Sequence, residues 1–116
     1  MEKPPILIVD DDLLVLRTVK QCLQILGFEV VTARNGQEAL DYSTSQPFLL
    51  VITDINMPIK NGIEFIEQLK AESPQLKIIA MSGEHAELKR ALTAGASSIL
   101  PKPFTGQELI LAVQNV

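Results

Sequence analysis

Two apolar runs in this sequence end in aspartate. Ile6–Val9 stops at Asp10, Asp11 and Asp12, and Leu49–Ile52 stops at Thr53 and Asp54, before a loop holding Pro58 and Gly62. A third run, Leu76–Met81, is followed by Ser82, and a fourth, Ser98–Leu100, by Lys102 between two prolines. Three carboxylates brought close together repel one another and raise each other's pKa unless a cation joins them. Clustered oxygen ligands with no His or Cys suit a hard ion such as Mg²⁺, which keeps several waters and takes few carboxylates. A lysine adds a point charge and a serine a hydroxyl donor. Metal, ammonium and hydroxyl around one carboxylate is the setting in which a phosphoryl group is transferred to an aspartate nucleophile. Taken alone, Asp54 reads equally well as a loop-capping residue, so its meaning depends on what converges on it.

The rest of the chain has to bring these residues together. Ile6–Val9 and Leu49–Ile52 are continuous and rich in β-branched residues, the pattern of strands buried on both faces. From Leu13 the period changes: Leu16, Val19, Leu23 and Leu26 recur at helical steps, with Asp11 or Asp12 as the cap and Gly27 as the left-handed end. Glu29–Ala33 is a shorter strand. Asn35 and Thr105 each precede a glutamate by three residues, the spacing of a capping box, and open two further helices. The first of these has Ala39, Leu40 and Ser43 on its face and stops at Pro47; the second has Leu109, Ala112 and Val113. Ile63, Ile66 and Leu69 define a helix ended by Ser73-Pro74. Leu88, Ala91 and Leu92 define another, closed by Gly95. Five strands alternating with five helices imply right-handed crossovers and a parallel sheet covered on both faces. For five strands the doubly wound α/β order is flavodoxin-like, 2-1-3-4-5. All carboxyl ends of such a sheet lie on one edge, so Asp10, Asp11, Asp54, Ser82 and Lys102 are expected to meet there.

Composition narrows the rest. A chain of 116 residues is one domain, here 1–116, with room for a single core. Aromatics are 4 % with no Trp, so that core should be aliphatic. The net charge of −4, with no Lys/Arg run, argues against direct contact with nucleic acid. The single cysteine, Cys22, has no internal disulfide partner, which makes a reducing cytoplasm the natural compartment; its place beside a helical stripe reads as packing. No apolar stretch is long enough for a membrane span.

The acidic pair after the first strand, the T-D-I-N-M-P segment at Thr53–Pro58, the serine at Ser82, the Gly95-Ala96 pair and K-P-F at Lys102–Phe104 together resemble the receiver domains of two-component response regulators. The resemblance covers essentially the whole chain and implies a CheY-like fold. It further implies that Asp54 accepts a phosphoryl group from a histidine kinase or phosphotransfer protein. Asp10, Asp11 and Asp54 would hold Mg²⁺ with the backbone carbonyl of Asn56, Asp11 being the likelier direct ligand of the acidic pair. Ser82 would turn toward the phosphoryl oxygens, Lys102 would pair with them, and the Lys102–Pro103 bond would be cis. Such a domain is a switch rather than an enzyme, limited to self-phosphorylation from a phosphodonor and slow autodephosphorylation. It alters binding to a downstream protein or effector domain, and the face of the fourth helix, fifth strand and fifth helix is a surface for dimerisation.

Three positions depart from the family pattern. Ile99 stands where an aromatic switch residue is common, so it has no hydroxyl through which to report an inward swing. The stretch from Ser82 to Gly95 is short, and Asn61 precedes Gly62 where an aspartate is frequent. Two other function classes use similar residues. A phosphorylation-independent docking module has no need of the full Asp10, Asp11, Asp54, Ser82 and Lys102 set. A Mg²⁺-dependent aspartyl-phosphate hydrolase commonly carries a second aspartate two residues after the nucleophile, where this chain has Asn56. A nucleotide site would call for a glycine-rich loop after the first strand, where three aspartates stand instead. Among the remaining residues, Asp12 reads as a helix start, and His85 as an exposed residue opening the fourth helix. Glu84 reads as a residue at the pocket mouth. Ile110 and Leu111, with Ile99, read as either an exposed apolar patch or edge packing.

Overall fold

A computed structural model of the chain describes residues 3–57 and 61–116; Met1, Glu2, Pro58, Ile59 and Lys60 lie outside them. Along the chain run β1 (Ile6–Val9), α1 (Leu13–Ile25), β2 (Val30–Ala33), α2 (Gly36–Ser45), β3 (Leu50–Asp54), α3 (Gly62–Glu72), β4 (Lys77–Ser82), α4 (His85–Ala94), β5 (Ser98–Pro101) and α5 (Gly106–Gln114). The strands form one parallel sheet in the order β2-β1-β3-β4-β5. This is the expected doubly wound α/β architecture.

Alternation along the strands divides the core in two. Leu7, Val9, Val51, Ile78 and Ala80 face one side, where they pack against Ala39 and Leu40 of α2, Phe65, Ile66 and Leu69 of α3, and Leu88 and Ala91 of α4. Ile6, Ile8, Leu50, Ile52, Ile79 and Met81 face the other, against Leu16, Val19 and Leu23 of α1 and Leu109 of α5. Every residue of β1 and β3 is buried, which is why their sequences are apolar runs instead of alternating patterns.

The helix ends follow from local chemistry. Asp12 caps α1 by accepting the Leu14 N–H at 2.9 Å, and Gly27 follows the helix at φ 93°. Asn35 accepts the Glu38 N–H at 2.8 Å, while at α5 the exchange is reciprocal: Thr105 accepts from Glu108 N–H and Glu108 from Thr105 N–H. Asn61 caps α3 in the same way through the Glu64 N–H, so this departure from the family pattern leaves the helix start intact. Gly95 closes α4 at φ 123°. No helix among the described residues is long and apolar enough to cross a membrane.

Several expectations need correction. Leu49 precedes β3 and is 39 % exposed, so the buried run starts at Leu50. The fourth strand spans Lys77–Ser82 in place of Leu76–Met81, which makes Ser82 a strand residue. Leu92 does not mark the buried face of α4; it is 45 % exposed, and Leu88 and Ala91 carry that contact. Nor is the core purely aliphatic, because Phe65 is fully buried and is the largest side chain in it. Ile63, expected on the α3 stripe, is only half-buried. These placements give opposite expectations for two truncations. Phe65→Ala should cost about 3–5 kcal/mol of unfolding free energy in a denaturant titration, whereas Leu92→Ala should stay within about 0.5 kcal/mol of the parent.

Candidate functional site

The sheet register fixes where the acidic residues lie. Val9 pairs with Thr53 across β1 and β3, so Asp10 and Asp54, each one residue further on, emerge side by side at the carboxyl edge. Ser82 pairs with Pro101, and the Lys102 N–H donates to the Ser82 carbonyl at 2.9 Å, which brings Lys102 to the same edge. Carboxylate oxygens of Asp10, Asp11 and Asp54 lie within 4.8 Å of one another. Asp10 and Asp54 are buried, at 1 % and 6 % exposure, while Asp11 is open to solvent.

One ammonium group holds the buried pair together. Lys102 Nζ lies 2.8 Å from Asp10 Oδ2 and 3.4 Å from Asp54 Oδ1. The other Asp10 oxygen, Oδ1, accepts the Asp12 N–H at 3.0 Å, so both oxygens of Asp10 are engaged and its carboxylate is fixed in place. Burial, and next the charge of Asp10, push the Asp54 carboxyl up from 3.8 to about 6, against the pull of Lys102. Burial works against the charge of Lys102 as well. Its hydrogen bond to Asp10 and the charges of Asp54 and Asp10 outweigh this and hold the ammonium above its ordinary value. The Lys102–Pro103 peptide bond is cis.

Ser82 is buried at the same edge, but its hydroxyl accepts the Glu84 N–H at 3.0 Å and makes no hydrogen bond to Asp54. Gly83 and Glu84 are the whole connection between β4 and α4. Glu84 and His85 are exposed there, and Asn56 is exposed in the segment after β3. Cys22 is half-buried in the α1 side of the core. Ile99 packs, half-buried, against the α4 side of the sheet, while Leu111 on α5 is 49 % exposed.

The pattern of the response regulator receiver domain matches residues 6–114. This chain belongs to that family. It is 35 % identical over 120 residues to the probable chemotaxis protein CheY of Rhizobium etli, covering 99 % of this chain and 93 % of that protein. It is 36 % identical to the transcriptional regulatory protein CpxR of Escherichia coli, over 96 % of this chain and 48 % of that one. The chain therefore spans about half the length of several curated relatives that it matches. Chemotaxis response regulator CheY4 of Vibrio cholerae superposes with a TM-score of 0.92 at 30 % identity, covering 98 % of each chain. A receiver domain of a two-component system is thus what the fold and sequence together establish.

Beside the receiver's acidic edge the structure places an apolar cleft of about 490 Å³, which sequence reasoning did not find. Leu14, Val15 and Thr18 of α1 form one wall, and Pro103 and Phe104 the other, with Lys102 at the rim. Leu14 in its wall is an apolar residue off the buried stripe of α1 and 70 % exposed. Thr53 reads in sequence as a strand residue and Gly62 as a loop residue, yet the Thr53 hydroxyl donates to the Asp54 carbonyl and a Cβ at Gly62 would strike the same oxygen.

The raised Asp54 carboxyl makes stability depend on pH in a definite direction. Because the folded form keeps its proton up to about 6 and an unperturbed carboxyl only to 3.8, stability falls as pH rises through that window. In metal-free buffer at neutral pH, Asp54→Asn should therefore be more stable than the parent by on the order of 2 kcal/mol. Denaturant titrations across the acid range should show that advantage shrinking as pH approaches 4. A gap of constant size would remove burial of the Asp54 charge as its cause.

Proposed function

We propose that this receiver domain is a phosphoacceptor switch, with Asp54 as the residue that takes the phosphoryl group. The observation that carries this reading is the meeting of Asp10, Asp11 and Asp54 oxygens within 4.8 Å, with Lys102 Nζ 3.4 Å from Asp54. A histidine kinase or phosphotransfer protein is the donor to be expected of a two-component receiver. An Asp54 oxygen attacks the phosphorus of a phosphohistidine. A carboxylate O–P bond forms, the P–N bond breaks, and its electron pair returns to the imidazole.

The donor set fits Mg²⁺. All available ligands are oxygens, no His or Cys lies among them, and one carboxylate, Asp11, is solvent-exposed and free to take part. Asp10, Asp11 and Asp54 would hold the ion, with the Asn56 carbonyl completing the protein's share. When bound, the ion supplies positive charge against the oxygens of the phosphoryl group in transfer. The chain's own residues do the rest. Asp10 anchors Lys102, so that the ammonium stands next to the acceptor before any donor arrives. Burial of Asp54 excludes water from one side of the carboxylate. The Ser82 hydroxyl gives up the Glu84 amide to meet a phosphoryl oxygen. The apolar cleft at Leu14 and Phe104 gives a donor protein a surface next to the acceptor, and the changed Ser82 region alters contact with a downstream protein or effector domain.

Incubation with acetyl phosphate and Mg²⁺, followed by intact-protein mass spectrometry, tests the reading. The expected result is a gain of one phosphoryl group that is labile to base, needs Mg²⁺ and is absent in Asp54→Asn. Lys102→Ala should retain little of this uptake, because the negative charge at the transferring group loses the cationic side chain beside it; a loss of about a hundredfold or more in rate is expected. No uptake by the parent protein favours the docking module. Rapid turnover of many equivalents favours the hydrolase.

A further inference from the structure

The peptide unit that follows Asp54 is held from three sides. Its carbonyl oxygen accepts the Thr53 hydroxyl at 2.9 Å, from a side chain with no exposed surface. Its N–H, that of Ile55, donates to the Met81 carbonyl at 3.1 Å, which carries the pairing of β3 with β4 one residue past the strand. The third side is Gly62, at the start of α3. A Cβ at Gly62 would lie 2.5 Å from the Asp54 carbonyl oxygen and 2.6 Å from Ile55 Cα, and the Gly62 N–H holds the next peptide along, donating to the Ile55 carbonyl at 2.8 Å. Gly62 is not among the glycines with positive φ, so the demand for glycine here is one of room. Both of the atoms a methyl would strike belong to the backbone, which cannot rotate out of the way as a side chain can.

Ordinary packing asks for less. A valine at 53 would fill the same buried space without bonding the Asp54 carbonyl. The hydroxyl contact and the close approach add almost no apolar burial; what they fix is the plane of one peptide. From that peptide hang both the Asp54 side chain and, one residue on, the Asn56 backbone, whereas Asp10 and Asp11 follow a different strand. Turning the plane shifts one pair of oxygens relative to the other.

We infer that Thr53 and Gly62 are positioning residues of the acidic site, which set the orientation of the Asp54–Ile55 peptide and so the fit of the cluster to Mg²⁺ and to the transferred phosphoryl group. The inference rests on the reading of Asp54 as phosphoacceptor. Mg²⁺ tolerates little departure from octahedral geometry, so displaced ligands are read directly as lost affinity.

Two substitutions test it, each followed by Mg²⁺ titration, by phosphorylation rate with acetyl phosphate at saturating Mg²⁺, and by thermal midpoint. Thr53→Val removes the hydroxyl and keeps the volume; Gly62→Ala forces the peptide aside. Each should weaken Mg²⁺ binding about tenfold and slow phosphorylation by a similar factor. Gly106→Ala, whose new methyl meets only Cys22 Sγ at 3.6 Å, should match the parent in all three measurements. Variants with a lowered thermal midpoint but the parent's Mg²⁺ affinity and rate would overturn the inference, leaving both residues a purely structural role. Should Gly62→Ala fail to fold, Thr53→Val decides alone. A parent protein that neither binds Mg²⁺ nor takes a phosphoryl group overturns the phosphoacceptor reading, and this inference falls with it. A parent that does both while the variants behave like it overturns the inference only.

Discussion

The 2.8 Å contact between Lys102 and Asp10, almost wholly out of water on the Asp10 side, is what lets the acidic edge exist inside a folded protein. A buried carboxylate without a partner carries a cost of several kcal/mol, and this edge buries two, Asp10 and Asp54, beside one another. A single ammonium cannot neutralise both. Lys102 settles closer to Asp10, and burial, with the Asp10 charge beside it, pushes the Asp54 carboxyl up to about 6 in spite of the lysine. Removing the lysine would leave two uncompensated charges, whereas removing the Asp54 charge would relieve one. The site is thus organised with a surplus of negative charge that the protein alone does not satisfy, and a surplus of that kind, built from hard oxygen donors, is a demand for a cation.

Holding such a surplus requires a rigid frame, and the rest of the chain supplies one. The two central strands are buried along their whole length, under apolar side chains on both faces. Register then does the positioning: Asp10 and Asp54 are neighbours because Val9 and Thr53 are. The cores on both faces offset what the edge costs, and short connections keep the edge from relaxing. Two residues join β1 to the Asp12 cap of α1, and two join β4 to α4. An edge on longer loops could spread its carboxylates apart and would lose the cluster.

Much of this was legible in the sequence, for identifiable reasons. Strands buried on both faces are written as continuous apolar runs, helix starts as Asp12, Asn35 and Thr105, and the left-handed helix ends as Gly27 and Gly95, because each feature depends on a few neighbouring residues. The convergence of Asp10, Asp11, Asp54 and Lys102 was legible too, since a parallel sheet gathers all its carboxyl ends at one edge. The misreadings concern contacts set by depth and by distant backbone. Leu92 has helical spacing from Leu88 but stays largely exposed, and Phe65 is buried although it lies off the stripe of Ile63, Ile66 and Leu69. Gly62 is a loop glycine in sequence, and only the folded chain shows that Asp54 and Ile55 occupy the space a side chain would need. The apolar cleft is formed by α1 and the segment after β5, far apart in the chain, so neither half announces the other.

Ile99 and Ser82 raise a different question, that of how a change at the acidic edge could reach the surface. Ser82 Oγ is held by one neutral hydrogen bond, from the Glu84 amide, so moving it forfeits on the order of 1 kcal/mol. Where an aromatic residue with a hydroxyl occupies the position of Ile99, part of that loss can be recovered by a new polar contact. Ile99 can recover it only through apolar area. At about 25 cal/mol per Å² of newly buried surface, an offset of that size needs roughly 40 Å². That area would have to come from the part of Ile99 still exposed on the α4 side of the sheet, with α4 moving over it. Coupling of this kind would respond to the volume and shape of the residue at 99 and not to its hydrogen-bonding capacity. It would also be carried by α4 as a body, because the Gly83–Glu84 connection is too short to absorb the motion by itself.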